Sequence, residues 1–186
     1  MGVNTKILGF AGSLRKGSYN RALLQAASSL APAEARIEIF DLEGIPLYNA
    51  DMEKYMPEKV RTFKQKIREA DALLIVTPEY NHSVSGVLKN AIDYASRPAG
   101  DNPFNDKPVA IMSASTGLMG GVRAQFHLRQ IFVFLNMHPL NVPQIIVSSA
   151  AQKFDENGNL QDEKAKELIK QLLSNLVEWT NKLKSV

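Results

Sequence analysis

Hydrophobic and polar positions along this 186-residue chain follow two periods in turn, and the alternation predicts strands followed by helices. Residues 72–76 are apolar throughout, as expected for a central strand that is covered on both sides. Residues 36–40 alternate between polar and apolar, which is typical of a half-covered strand near a sheet edge. The predicted strands are residues 7–11, 36–40, 72–76, 109–112 and 142–147, and the predicted helices are residues 19–30, 57–70, 86–96, 122–135 and 162–183.

The regular succession of strands and helices indicates an α/β protein, with a mostly parallel sheet and helices on both faces. Five strands in a chain of this length favour the doubly wound, flavodoxin-like order 2-1-3-4-5. A ligand then binds at the carboxyl ends of the strands, beside the switch in strand order between strands one and three. No linker, repeat or low-complexity segment interrupts the pattern, so we expect residues 1–186 to form a single domain.

The composition, with 45% hydrophobic and 22% charged residues, is that of an ordinary globular protein. The net charge of +3 comes from scattered basic residues, which argues against a nucleic-acid partner, and no apolar run approaches the ~20 residues that cross a bilayer. Absence of cysteine excludes disulfides and thiolate nucleophiles, and three isolated histidines predict no metal site. Since the first residues lack an apolar signal core, we expect a cytoplasmic protein.

The loop after the first strand, residues 12–20, is the strongest chemical signal in the chain. It combines two serines, an arginine and an asparagine directly before a helix, where unpaired backbone N–H groups favour an anion. The loop has no acidic residue, and it is neither a Walker loop nor a Gly-x-Gly-x-x-Gly motif. It therefore predicts a phosphate site; the alternative is an ordinary turn in which Ser18 caps the helix.

Two further loops are expected to meet the first one. Residues 78–86 follow the most buried strand and combine an aromatic ring, an amide and hydroxyls, which suit a flat heteroaromatic ring with polar edges. Residues 113–121 are rich in glycine, which lets the backbone approach a ligand. Either segment alone is also compatible with a simple turn. Together with the phosphate loop they predict a mononucleotide site, and flavin mononucleotide (FMN) is the natural candidate.

Residues 12–20 (GSLRKGSYN) and 77–81 (TPEYN) resemble the two signatures of the NADPH-dependent FMN reductase family. Residues 45–48, 88–93 and 120–125 are similar to its bacterial quinone and chromate reductase branch, and the resemblance covers about residues 6–147. It implies that the FMN phosphate is held by Ser13, Arg15, Ser18 and Asn20, and that the isoalloxazine ring is lined by Pro78, Glu79, Tyr80 and Asn81 and approached by Ser115 and Gly117.

The resemblance implies an oxidoreductase that passes electrons from NADPH or NADH through FMN to a quinone, a flavin, an azo compound or a metal oxyanion such as chromate. The flavin carries the hydride chemistry, so no protein residue is predicted to be catalytic. The nicotinamide preference, the physiological acceptor and the roles of Arg97 and His82 stay open. A flavodoxin-like electron carrier is the alternative, although such carriers are usually acidic. A phosphoester hydrolase would need a loop cysteine or an acidic metal cluster, and the sequence has neither.

Residues 131–135 (IFVFL) are apolar around the whole circumference of their helix, more than one buried stripe requires. This predicts a homo-oligomer, unless the helix end is simply buried on all sides. The family resemblance implies dimers that often pair into tetramers, with Arg123 near the subunit contact. Phe126 stands where close relatives can carry tyrosine, so a hydroxyl is missing there. The choice between dimer and tetramer stays open.

Overall fold

A parallel β-sheet forms the centre of the molecule in the computed structural model, which describes residues 5–185. The strands of this part of the chain are β1 (Thr5–Ala11), β2 (Ala35–Phe40), β3 (Ala72–Val76), β4 (Glu79–Tyr80), β5 (Ser83–Val84), β6 (Pro108–Ala114), β7 (His138–Pro139) and β8 (Ile145–Val147). The main sheet runs β2-β1-β3-β6, with β7 and β8 both parallel to β6 on its far side, so the predicted order 2-1-3-4-5 is confirmed.

The fifth position of the sheet is occupied by two short strands instead of the single predicted strand at 142–147. His138 pairs with Pro108 at the beginning of β6, and Ile145 pairs with Met112 near its end. Residues 141–144 leave the ladder between these two pairings. Pro143 lies in this gap and has no N–H to donate to a neighbouring strand, which accounts for the interruption.

Helices cover both faces of the sheet, as the alternating pattern predicted. The helices are α1 (Tyr19–Ser29), α2 (Glu58–Glu69), α3 (Gly86–Ala95), α4 (Val122–Leu135) and α5 (Glu163–Lys184), with short 3-10 turns at Ala50–Tyr55 and Ala150–Gln152. Alternate residues of β1 show the two layers: Ile7 and Ala11 pack with α1 and α5, whereas Leu8 and Phe10 pack with α2, α3 and α4. None of the helices in the described region is long and apolar enough to span a membrane.

The segment after β3 is a small antiparallel hairpin rather than the open loop that the sequence predicts. Glu79 pairs with Val84 and Tyr80 pairs with Ser83. Asn81 and His82 form the tip with φ of 49° and 61°, the left-handed conformation that tight two-residue hairpin turns require. The hairpin therefore presents Tyr80 from a paired strand at the carboxyl end of β3.

Candidate functional site

The loops after β1, β3 and β6 meet in one cleft of about 130 Å³ at the carboxyl ends of these strands. This is the switch in strand order where the sequence placed the ligand. All the predicted binding residues except Asn81 and Gly117 line the cleft. Its lining consists of Ser13, Arg15, Ser18, Tyr19, Asn20, Pro78, Glu79, Tyr80, Ala114, Ser115 and Thr116.

The first loop presents the amino end of α1 to the cleft. Ser18 is the N-cap, and its hydroxyl accepts a hydrogen bond from the Arg21 amide at 3.4 Å. The first turn contains no acidic residue, so the unpaired amides of the helix start face no competing carboxylate from that turn. Ser13 is buried, whereas Arg15 is exposed and its guanidinium lies 5.7 Å from the centre of the Tyr19 ring. This end of the cleft is suited to an anion.

Asn20 joins the first loop to the end of β6. Its side-chain N–H donates to the Ala114 carbonyl at 2.9 Å, and its side-chain oxygen accepts from the Ala114 amide at 2.9 Å. The last residue of β3 pairs with Met112 of β6. Two residues further along β6, the Asn20 side chain bonds the backbone of Ala114 as a neighbouring strand would. The sequence suggested only a phosphate contact for Asn20. The structure gives its buried side chain a structural task, which uses one of the two N–H groups of the amide.

Gly12 lets the first loop pass very close to α3. A Cβ atom at this position would come within 2.8 Å of the Ser85 hydroxyl and 2.9 Å of the Leu88 Cβ, which are impossible approaches. The Ser85 hydroxyl donates to the Gly12 carbonyl at 2.6 Å and accepts from the Leu88 amide at 3.2 Å, so one serine caps α3 and fastens the loop. Glycine is required here for packing against α3 rather than for a left-handed turn.

The β4–β5 hairpin supplies the aromatic side of the cleft. Pro78 is buried, while 55% of the Tyr80 surface is exposed, so the ring is available to a ligand. Asn81 is exposed at the hairpin tip and does not line the cleft. The hairpin rests on α4, where the Nδ1 of His127 lies 2.9 Å from the Ser83 hydroxyl.

Glu79 places its carboxylate on the first turn of α4. One oxygen accepts from the amides of Arg123 at 2.9 Å and Ala124 at 3.3 Å, and the other accepts from the Arg123 guanidinium at 3.1 Å. Partial burial raises the pKa of Glu79, but the Arg123 pair and the two amide hydrogen bonds outweigh it and hold the pKa below its ordinary value. Glu79 therefore carries a negative charge at neutral pH, compensated by Arg123 and the helix start.

The third loop is held by hydrogen bonds to the end of β8 and to the segment after it. Ser115 donates its amide to the Val147 carbonyl at 3.0 Å and accepts at its own carbonyl from the Ala150 amide at 2.9 Å. The Ser115 hydroxyl accepts from the Gly117 amide at 3.2 Å, and Gly117 lies beyond the lining of the cleft. Thr116 is exposed between them and lines the cleft.

The sequence analysis missed three lining residues: Tyr19, Ala114 and Thr116. Each is adjacent in sequence to a predicted residue, and this adjacency is the only feature from which the three could have been predicted. Throughout residues 5–185, no three His, Asp or Glu side chains come together in a way that could hold a metal ion.

The donor set fits FMN. A capped helix start without acidic residues in its first turn, together with Arg15, suits a phosphate, and an exposed tyrosine beside backbone groups suits a flat ring. Fold and site thus define a flavodoxin-like α/β protein with a cleft at its topological switch point, whose lining suits a nucleotide.

Residues 5–152 match the family model for NADPH-dependent FMN reductase, and the chain belongs to that family. It is 54% identical over 185 residues to a NAD(P)H-dependent FMN reductase of Pseudomonas aeruginosa, covering 99% of this chain and 100% of the relative. It is 41% identical to a 2-hydroxy-1,4-benzoquinone reductase of a Burkholderia species, covering 94% and 95%. A solved flavoenzyme NAD(P)H:(acceptor) oxidoreductase of Paracoccus denitrificans has a TM-score of 0.88 at 32% identity, covering 96% and 98%. The chain is accordingly an oxidoreductase that uses FMN and a nicotinamide coenzyme.

Proposed function

We propose that this protein transfers electrons from NADPH or NADH through FMN bound in the three-loop cleft to a quinone. The observation that carries the proposal is the convergence of the three loops, with the α1 start at one end and the exposed Tyr80 ring at the other. Two relatives, one from a Burkholderia species and one from Pseudomonas putida, are named as quinone reductases, which supports a quinone as the acceptor. Absence of cysteine is compatible with a reducing cytoplasm as the proposed location.

The first loop would hold the phosphate. Arg15 supplies a cation, Ser13 and Ser18 supply hydroxyl groups, and the first residues of α1, Tyr19 and Asn20, also line this end of the cleft. Asn20 would contribute the side-chain N–H that Ala114 does not use. The cleft volume of about 130 Å³ is well below the roughly 300–1,000 Å³ of complete ligand pockets. The enclosed part is therefore sized for a portion of the nucleotide, and the remainder would lie on open surface.

The hairpin and the third loop would line the ring. Bound FMN accepts a hydride from the nicotinamide and delivers electrons to the acceptor, and this chemistry needs no protein nucleophile or general base. Tyr80 offers an exposed aromatic surface that orients a flat partner. The other residues proposed to border the ring, through backbone or polar groups, are Pro78, Glu79, Asn81, Ser115 and Gly117.

Other acceptors fit the same open surface. Free flavins, azo compounds and metal oxyanions such as chromate are further proposed acceptors, which a common assay with each oxidant would rank. The alternative is a flavodoxin-like carrier that binds FMN but does not turn over NAD(P)H. No observation in the structure favours this alternative, and the family membership favours the reductase.

A homodimer or homotetramer is part of the proposal. Phe132 and Leu135 of α4 face the core, but 82% of Val133 and 80% of Phe134 are exposed on the opposite side, together with 55% of Phe126. Large apolar side chains grouped on one helix face are typical of subunit contacts. The apolar residues at the end of this helix therefore lie on two sides, one packed in the core and the other exposed on the surface.

Two measurements test the function. The purified protein loaded with FMN should lose its flavin absorbance when NADPH or NADH is added and regain it when a quinone is added. Flavin that stays oxidised with both coenzymes would support the carrier, and protein that never binds FMN would exclude both readings.

The location of the phosphate is tested by Arg15→Ala. The variant should weaken the binding free energy of FMN by about 1–3 kcal/mol, the scale of a hydrogen bond to a charged group. Arg61→Ala is the matched control, because Arg61 is an exposed arginine paired with Glu58 on α2 and does not line the cleft. Equal affinity of the Arg15→Ala variant and the parent would refute the phosphate assignment.

A further inference from the structure

The amino end of α4 has no cap of its own. Its N-cap residue is Gly121, with φ of 92° and no side chain to accept a hydrogen bond. A Cβ at Gly121 would come within 2.7 Å of the Ser113 Cβ, so a conventional serine or aspartate cap has no room there. The amides of Arg123 and Ala124 in the first turn therefore need an acceptor from elsewhere in the chain.

Glu79 is that acceptor, and it lies 44 residues away from Arg123 in sequence. Both of its carboxylate oxygens are engaged: one accepts from the amides of Arg123 and Ala124, and the other accepts from the Arg123 guanidinium. The Glu79 side chain is only 11% exposed, compared with 40% for Arg123. The hydrogen bonds of this ionised, nearly enclosed carboxylate all come from the first turn of α4.

The position of Glu79 gives this contact a consequence for the cleft. Glu79 directly precedes Tyr80 in β4, and α4 directly follows the third loop, so the carboxylate joins two of the three walls. The His127–Ser83 contact fastens the other strand of the hairpin to the same helix. The distance between Tyr80 and the third loop is therefore set by two side-chain contacts with α4.

We propose that the Glu79 side chain is a positioning group, which holds the Tyr80 hairpin against α4 and thereby fixes the ring side of the cleft, so that only the backbone of Glu79 borders the flavin. This inference rests on the proposed FMN site. It assigns Arg123 to the same unit, as the cation that keeps the Glu79 carboxylate in place.

The test uses Glu79→Gln, which keeps the shape of the side chain but removes its charge. FMN binding to the apoprotein is measured by fluorescence titration, together with the residual fluorescence of FMN at saturation and the melting temperature of the apoprotein. We expect a dissociation constant raised about tenfold, equivalent to ~1.4 kcal/mol. We also expect higher residual fluorescence, because Tyr80 no longer stays in place beside the ring.

Arg123→Gln provides the second variant, since it leaves the two amide hydrogen bonds of Glu79 intact and keeps the test valid if Glu79→Gln does not fold. Arg123→Lys should restore most of the affinity because it restores the charge. The double variant Glu79→Gln, Arg123→Gln should bind FMN no more weakly than Glu79→Gln alone, as expected for residues that act as a unit. Glu167→Gln is the control, because it breaks an exposed ion pair on α5 that lies outside the cleft.

The possible outcomes distinguish a failure of the Glu79 inference from a failure of the proposed FMN site. If Glu79→Gln lowers the melting temperature but leaves the dissociation constant and the bound-FMN fluorescence unchanged, Glu79 is only a helix cap and the inference is overturned. The same conclusion follows if the Glu79 and Arg123 effects simply add. If Arg15→Ala also binds FMN normally, the proposed location of the flavin fails instead.

Discussion

Replacement of Asn20 by alanine tests the most unexpected part of the site. The Asn20 side chain is 4% exposed and makes two hydrogen bonds of 2.9 Å to the backbone of Ala114, which is itself buried. The Ala variant leaves a buried N–H and a buried C=O without these partners. Each orphaned group costs about 1–3 kcal/mol, so we expect a loss of about 3 kcal/mol in the free energy of unfolding, allowing for partial relaxation. For a chain of this length that loss lowers the melting temperature by roughly 6–12 °C.

The assay is urea unfolding of the apoprotein followed by circular dichroism, which excludes any contribution from FMN. Asn175→Ala is the control: Asn175 is half-buried, and its one side-chain hydrogen bond, of 3.3 Å to the Val142 carbonyl, is exposed. This control should change the free energy of unfolding by less than about 0.5 kcal/mol. An Asn20→Ala apoprotein within ~1 kcal/mol of the parent would refute the structural role and return Asn20 to a ligand-binding role alone.

Two other predictions concern pH and assembly. Burial raises the pKa of Asp101, but hydrogen bonds from Lys64 and Arg68 outweigh it and hold the pKa below its ordinary value. The Asp101 ion pairs therefore stabilise the folded state above about pH 4, the pKa of an unfolded aspartate, and this stabilisation is lost as the pH falls through the pKa of the folded state. In urea unfolding, the free energies of unfolding of the parent and of Asp101→Asn should become equal at that low pH. For assembly, Phe134→Glu should reduce the mass measured by light scattering, because a charge replaces an 80% exposed apolar ring, whereas Gln171→Glu at an exposed position of α5 should not. Equal masses for both variants would exclude the α4 surface as the subunit contact.

The strands and helices were largely predictable from the sequence because their signals are local. The β3 strand occupies 72–76 as its apolar run predicted, and α4 occupies Val122–Leu135 with the predicted limits. The β4–β5 hairpin was not predicted, since strands of two residues show no periodicity. The broken fifth strand shows the same limit: proline marks an interruption only when the neighbouring strand and its register are known.

Side-chain tasks at the site were less predictable, because they depend on partners that are distant in sequence. Asn20 bonds a residue 94 positions away, and Glu79 bonds the start of a helix 44 positions away. A motif identifies these residues as belonging to the site, but it does not separate residues that touch a ligand from residues that hold the walls together. The location of the cleft could be predicted from the strand order, whereas the role of each residue inside it could be assigned only from the structure.

The three walls of the cleft are tied to one another in pairs, and the ties explain how the site can keep its shape before a ligand binds. Asn20 joins the first loop to β6, Ser85 joins the first loop to α3, and Glu79 joins the hairpin to α4. Each tie uses a polar side chain to satisfy backbone groups that the ends of strands and helices leave unpaired. The loops therefore need little ordering when FMN binds, and less binding free energy is lost to that ordering. The polar residues concentrated in the motifs serve this scaffold as much as the ligand. Substitutions at the ties should consequently weaken FMN binding and apoprotein stability together, whereas Arg15→Ala should weaken binding alone.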